Sequence, residues 1–103
     1  MEDFEKILEE SRTKSVVLFK YSPICHMSTE AEYQLNEFLK SPPDNMVFYL
    51  IDVVRSRDTS RGLAKLINVK HESPQILLFK NRECVWHDSH YRLTKEVFQE
   101  NIK

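Results

Sequence analysis

Cys25 sits in the run Pro23-Ile24-Cys25-His26-Met27-Ser28, so a serine stands three residues on, where a dithiol exchange protein would hold a second cysteine. The nucleophile in disulfide exchange is the thiolate, so a working cysteine needs surroundings that favour the charged sulfur. A helix starting at Cys25 would supply unpaired backbone N–H groups and the positive end of its dipole. Ser28 could donate its hydroxyl to the sulfur, and His26, when protonated, could add positive charge beside it. With no cysteine at position 28, Cys25 cannot close a local disulfide and must exchange as a monothiol.

The elements that would position this thiol follow from hydrophobic periodicity. Phe4, Ile7 and Leu8 mark a short helix over 4–10 behind an Asp3 cap, and Val16–Phe19 is an apolar, β-branched run of a strand buried on both faces, ended by Ser22-Pro23. Ala31, Leu35, Phe38 and Leu39 recur at helical spacing up to Lys40, and Ser41-Pro42-Pro43 stops that helix. Its start has two solutions: at Cys25, or after it, because Thr29-Glu30-Ala31-Glu32 also fits a capping box with Thr29 as N-cap. Val47–Ile51 predicts a second strand buried on both faces, parallel to the first. A helix carrying Leu63, Leu66 and Ile67 follows, capped by Asp58 or Thr59. Gln75–Phe79 and Cys84–His87 then form a hairpin around a turn at 80–83 in which Asn81 can be left-handed. A last helix runs from Leu93 or Thr94 through Val97, Phe98 and Ile102. A parallel pair joined by a crossover helix and followed by a hairpin predicts an α/β fold, a four-stranded mixed sheet with helices on both faces.

That layout, with a buried strand at Val16–Phe19, Cys25 at the mouth of the next helix and Pro74 just before the third strand, resembles the thioredoxin superfamily. The resemblance implies a cis Ser73–Pro74 bond and favours a helix start at Cys25. Phe19-Lys20-Tyr21-Ser22, Cys25-His26-Met27-Ser28, His71-Glu72-Ser73-Pro74-Gln75 and Val85-Trp86-His87-Asp88-Ser89-His90-Tyr91 make nearly the whole chain similar to the bacilliredoxin-like family, monothiol thioredoxin-fold proteins associated with bacillithiol. His26 stands where that family usually has proline. The resemblance implies a monothiol oxidoreductase with Cys25 as nucleophile, Ser28 stabilising the thiolate and Pro74 shaping the groove. The backbone of Ser73 would pair with an incoming substrate. Bacillithiol would be the co-substrate, with no resident cofactor, and S-thiolated proteins would be the partners.

In this layout the loop His87-Asp88-Ser89-His90 returns to the rim that holds Cys25, where glutaredoxins, relatives by fold, hold a carboxylate of glutathione. His26, His87, Ser89 and His90 are therefore candidate substrate contacts, with Arg55, Arg57 and Lys20 as further positive charge and His71 packed near Pro74. The Gly-Gly-Cys-Asp pattern of glutaredoxins is absent, which argues against glutathione. Cys84 lies 59 positions after Cys25 and falls at the far end of the hairpin, too distant for a disulfide. Cys84, His87 and His90 are spaced by three, but strand alternation places Cys84 and His87 on opposite faces and no fourth ligand is at hand, so no metal is expected.

Composition excludes several other classes. The 103 residues make one domain, 1–103, long enough to bury a core. A net charge of −1, from 15 basic and 16 acidic residues, provides no footprint for nucleic acid or an anionic membrane. Gly62 is the single glycine, so no phosphate-cradling loop exists. The acidic N-terminus lacks the basic start and apolar run of a signal peptide, and no apolar stretch approaches the ~18 residues of a membrane span. A cytoplasmic monomer is expected. Two further functions fit the same residues: a non-enzymatic thioredoxin-fold interaction module, and a glutathione-type glutaredoxin. Replacing Ser28→Cys tests the Cys-x-x-Ser geometry. On mild oxidation the variant should fall from three alkylatable thiols to one; retention of all three would place the helix start after Cys25.

Overall fold

The structure, a computed structural model, describes residues 3–103, apart from the side chains at positions 3, 4, 57, 59 and 60. The Asp3 and Thr59 caps, the packing of Phe4 and the charge of Arg57 therefore lie outside the described residues. The elements are α1 (Asp3–Glu10), β1 (Ser15–Tyr21), α2 (His26–Phe38), β2 (Met46–Asp52), α3 (Arg57–Ile67), β3 (Gln75–Lys80), β4 (Glu83–Ser89), a 3-10 turn (His90–Arg92) and α4 (Lys95–Asn101). The strands form one mixed sheet in the order β2-β1-β3-β4. β1 pairs parallel with β2 and antiparallel with β3, and β3 pairs antiparallel with β4.

Strand alternation sorts the apolar residues of β1 and β3 onto two cores. Val17, Phe19, Ile76 and Leu78 pack against Ala31, Leu35 and Phe38 of α2 and Phe98 of α4. Val16, Leu18, Leu77 and Phe79 meet Ile7 and Leu8 of α1 and Leu63 of α3 on the other face. Each fully buried Val, Leu, Ile or Phe side chain among these contributes roughly 1.5–3 kcal/mol of burial free energy. These two central strands read as continuous apolar runs because both of their faces are covered.

The second strand departs from expectation. β2 lies at the sheet edge, only Ile51 within it is fully buried, and Leu50 is 59% exposed. Its apolar run is that of an edge strand with one open side, a distinction composition does not carry. Leu66 of α3 is likewise exposed, while Leu63 faces the core. α3 begins at Arg57 behind Ser56, which makes no side-chain cap, so Asp58 falls in its first turn rather than at its cap.

The β3–β4 turn is tight because both Asn81 and Arg82 are left-handed (φ 52° and 68°), as a two-residue hairpin of this hand requires. Arg82, an unusual residue for that conformation, is held by its N–H to Ser11 Oγ (2.8 Å) and by ion pairs to Glu5 (2.9 Å) and Glu9 (2.6 Å). Thr94 caps α4 by accepting the Val97 N–H at 3.3 Å. Phe98, fully buried, meets Phe38 edge-on at 5.9 Å and joins α4 to α2. Truncating it leaves a cavity between the two helices, so Phe98→Ala should cost about 3–5 kcal/mol, read as a lower urea midpoint with an unchanged slope.

Candidate active site

The β1–α2 connection leaves the sheet at Tyr21 and folds into a short turn in which the Cys25 N–H donates to the Ser22 carbonyl at 3.2 Å. Cys25 is the N-cap residue of α2, with extended backbone (φ −105°, ψ 123°) and no side-chain cap bond of its own. Its carbonyl accepts from the N–H groups of Ser28 (3.1 Å) and Thr29 (3.3 Å). Of the two helix starts that the sequence allowed, the earlier is the one formed, and Thr29 lies inside the helix, exposed. An earlier start closes the turn because Ser28 is drawn into the core, 2% exposed, where its Oγ accepts the Ser22 N–H at 3.0 Å. Ser28 thus locks the turn that carries the thiol, and accepting this bond leaves its O–H as a donor.

At the same end of the sheet as the β1–α2 turn lies segment 70–74, which leads into β3. The Ser73–Pro74 bond is cis, and Pro74 precedes Gln75, which pairs with Lys20 at the end of β1 from which the chain departs toward Cys25. The Pro74 carbonyl accepts the N–H of His90 at 3.1 Å, and His90 is left-handed (φ 57°). Ser89 Oγ donates to Glu72 Oε2 at 2.6 Å and accepts from the Arg92 guanidinium at 3.2 Å, while Arg92 is also paired with Asp88. The Ser89 hydroxyl bond holds the Glu72 carboxyl below its usual range, assisted by His90, Lys70 and Arg92. Burial, then the charges of Lys20 and Arg61, lower His71 and favour its neutral form.

Of the residues named as substrate contacts, Ser73, Ser89 and His90 meet at this segment. His26, exposed in the first turn of α2, lines a groove of about 350 Å³ with Met27, Glu30, His90 and Tyr91. His87 does not join them: β4 runs on to Ser89, so 87–89 is strand rather than loop, and His87 stands exposed opposite Leu77, two residues inward from the rim.

Lys20 also differs from its expected role as rim charge. It is 1% exposed, on the α1 and α3 face of β1, with its Nζ donating to Gln75 Oε1 at 2.8 Å. Gln75 Nε2 in turn donates to the Lys70 carbonyl at 3.0 Å. Arg55 is at the surface but is drawn toward Asp52 (3.8 Å). Glu72, Gln75 and Arg92 were not singled out by sequence. A signal for Gln75 did exist, since Lys20 and Gln75 are polar ends of two otherwise apolar runs that an antiparallel pairing brings together.

Cys84 lies opposite Phe79, next to the β3–β4 turn and at the opposite end of the sheet from Cys25, and both cysteines are free thiols. Burial raises the Cys84 thiol. Cys84 and His87 do not lie on opposite faces as strict alternation predicts: a register shift at Leu78/Phe79 pairs Cys84 with Phe79 and His87 with Leu77, so the two share a face. An extra residue on one strand shifts the alternation by one. Among the described residues no group of three or more metal-binding side chains converges.

A family model described as monothiol bacilliredoxin BrxC matches residues 1–98. The chain belongs to that family. A solved structure described as a thioredoxin-fold protein with a proposed oxidoreductase role is 36% identical, with a TM-score of 0.86, covering 100% of this chain and 88% of the other. Thioredoxins of Fasciola hepatica (20% identity, TM-score 0.73, covering 98% of this chain and 89% of the other) and Malassezia sympodialis (18%, 0.72, 98% and 81%) share the fold. Membership of the bacilliredoxin family makes this a thioredoxin-fold protein of thiol redox chemistry. No helix among the described residues is long and apolar enough to cross a membrane.

The buried lysine generates a test. Burial lowers Lys20 from 10.5 to about 8, against the attraction of Glu72. The folded chain then gives up this proton before the unfolded chain does. Between about pH 8 and 10.5 the unfolded state binds more protons, so stability rises with pH across that window, and the cost of burying the charge is full below it. Relative to Lys20→Met, which has no such proton, the wild type should gain roughly 1–2 kcal/mol between pH 7 and 9.5 in urea unfolding. A constant difference would mean that the ammonium is solvated.

Proposed function

We propose that the protein is a monothiol oxidoreductase that resolves mixed disulfides between proteins and a low-molecular-weight thiol, bacillithiol, through Cys25. The observation that carries this reading is Cys25 at the N-cap of α2, at the sheet end where Pro74 precedes β3, with Ser28 in the position of a resolving cysteine. The other cysteine is at the far end of the sheet.

In the first step the Cys25 thiolate attacks the bacillithiol sulfur of the mixed disulfide. A new Cys25–bacillithiol disulfide forms, the protein–bacillithiol disulfide breaks, and the target leaves as a thiolate that takes a proton from water. In the second step the thiolate of another bacillithiol attacks the disulfide on Cys25. Bacillithiol disulfide leaves, and Cys25 returns as thiolate. The reduction of the target sulfur is balanced by oxidation of the incoming bacillithiol, whose sulfur passes from thiolate to disulfide, while the first bacillithiol begins and ends in a disulfide.

Ser28 would donate its O–H toward the sulfur, and the unpaired N–H groups of the first turn of α2 would favour its anionic form. Pro74 and the backbone of Ser73 would form the wall against which the disulfide lies. His26, Ser89 and His90 would meet the small thiol, whose malate carboxylates suit imidazole N–H donors and the guanidinium of Arg92; His87 is too far inward along β4 to share that contact. The opposing reading, a module that binds a partner without chemistry, places no demand on the sulfur. Wild type should release bacillithiol from an S-bacillithiolated protein, and Cys25→Ala should lose the activity entirely while keeping its circular dichroism. Equal release by the two would sink the assignment.

A further inference from the structure

The end of the sheet next to the site holds a charged group that the exchange chemistry does not use. Lys20 is sealed, 1% exposed, beside a strand partner, Gln75, that is equally buried. An ammonium can only donate and a backbone carbonyl can only accept. Lys20 therefore fixes which way the Gln75 amide points: Oε1 toward Nζ at 2.8 Å, and so Nε2 toward the Lys70 carbonyl at 3.0 Å. The relay runs in one direction, from β1 through the side chain of β3 to the backbone at the start of segment 70–74.

At the other end of that segment the Pro74 carbonyl is held by the His90 N–H, and Glu72 is held by Ser89. Among the described residues the buried Ser73 hydroxyl has no hydrogen-bond partner, so that side chain adds no tether there. The Gln75 amide is thus a tether of the segment at its Lys70 end. We infer that Lys20 is a positioning residue: by orienting the Gln75 amide it anchors the start of segment 70–74 and so sets the wall against which a disulfide is presented to Cys25. This rests on the monothiol exchange proposed above.

Gln75→Glu isolates the second link. A carboxylate still accepts from Lys20, leaving the buried ammonium paired, but it has no N–H for the Lys70 carbonyl. The double variant Lys20→Met/Gln75→Leu removes both links and replaces them with apolar contact, which protects the fold should the single variant not fold. In the free protein, backbone 15N order parameters of residues 70–73 should drop from rigid values near ~0.85 toward ~0.6 in either variant, with those of β1 and β3 unchanged. With S-bacillithiolated protein as substrate, KM should rise about tenfold and kcat change less than about twofold, the pattern of lost ground-state positioning. Alkylation of Cys25 by iodoacetamide should keep its wild-type rate.

Unchanged order parameters in both variants overturn the anchor, and increased mobility without a KM effect overturns the positioning role. The relaxation measurement needs no substrate. It still decides the anchor if wild type proves inactive, an outcome that would refute the proposed function instead.

Discussion

β1 and β3 are buried on both faces for nearly their whole length, and a pair of strands in that position has no room for an unsatisfied polar group. At their shared end the sequence nevertheless places Lys20 opposite Gln75, each about 1% exposed. A buried ammonium is tolerated only when its hydrogen-bonding demand is met. The demand is met by the Gln75 amide, whose other end is then committed to the Lys70 backbone. An apolar pair of similar volume would serve stability as well or better. What the polar pair adds is direction, because it ties the exit of β1, which leads to Cys25, to the entry of β3, which follows Pro74.

The site is built from two arms anchored on that end. One is the turn 22–28, closed by Ser28 Oγ accepting the Ser22 N–H and by Cys25 donating to the Ser22 carbonyl. The other is segment 70–74, held by Gln75 on one side and by Glu72, Ser89 and His90 on the other. Arg82 performs a related task at the opposite end, where Glu5, Glu9 and Ser11 secure the β3–β4 turn against α1. Cys84 lies at that end, packed on the α1 and α3 core. The geometry of the sheet thereby separates the two thiols, and the polar contacts at each end have distinct work.

The departures from sequence expectation share a cause. β2 and β1 have similar apolar runs, yet one is an edge and the other is central, since burial depends on which neighbours a strand acquires. β4 extends to Ser89 because Gln75 pairs with it, which turns a presumed loop into strand and leaves His87 inward from the rim. The bulge near Leu78 shifts alternation, so Cys84 and His87 share a face that simple period-two counting denied them. Lys20 read as surface charge because lysine is almost always exposed, and only the folded sheet, which buries it beside Gln75, makes it otherwise.

Local chemistry in the chain was sufficient for the element order, the four-stranded mixed sheet, the Cys-x-x-Ser motif and the proline before β3. Apolar periodicity and turn residues act over a few neighbours, and the motifs at Cys25 and Pro74 are contiguous. Tertiary structure alone decided which helix start was used, since the choice between Cys25 and Thr29 was settled by burying Ser28 against the Ser22 N–H. It also decided that Lys20 points inward and that Glu72, Ser89 and Arg92 form one cluster. Those contacts join residues many positions apart, and their free energy exists only once the sheet has set the register that brings them together.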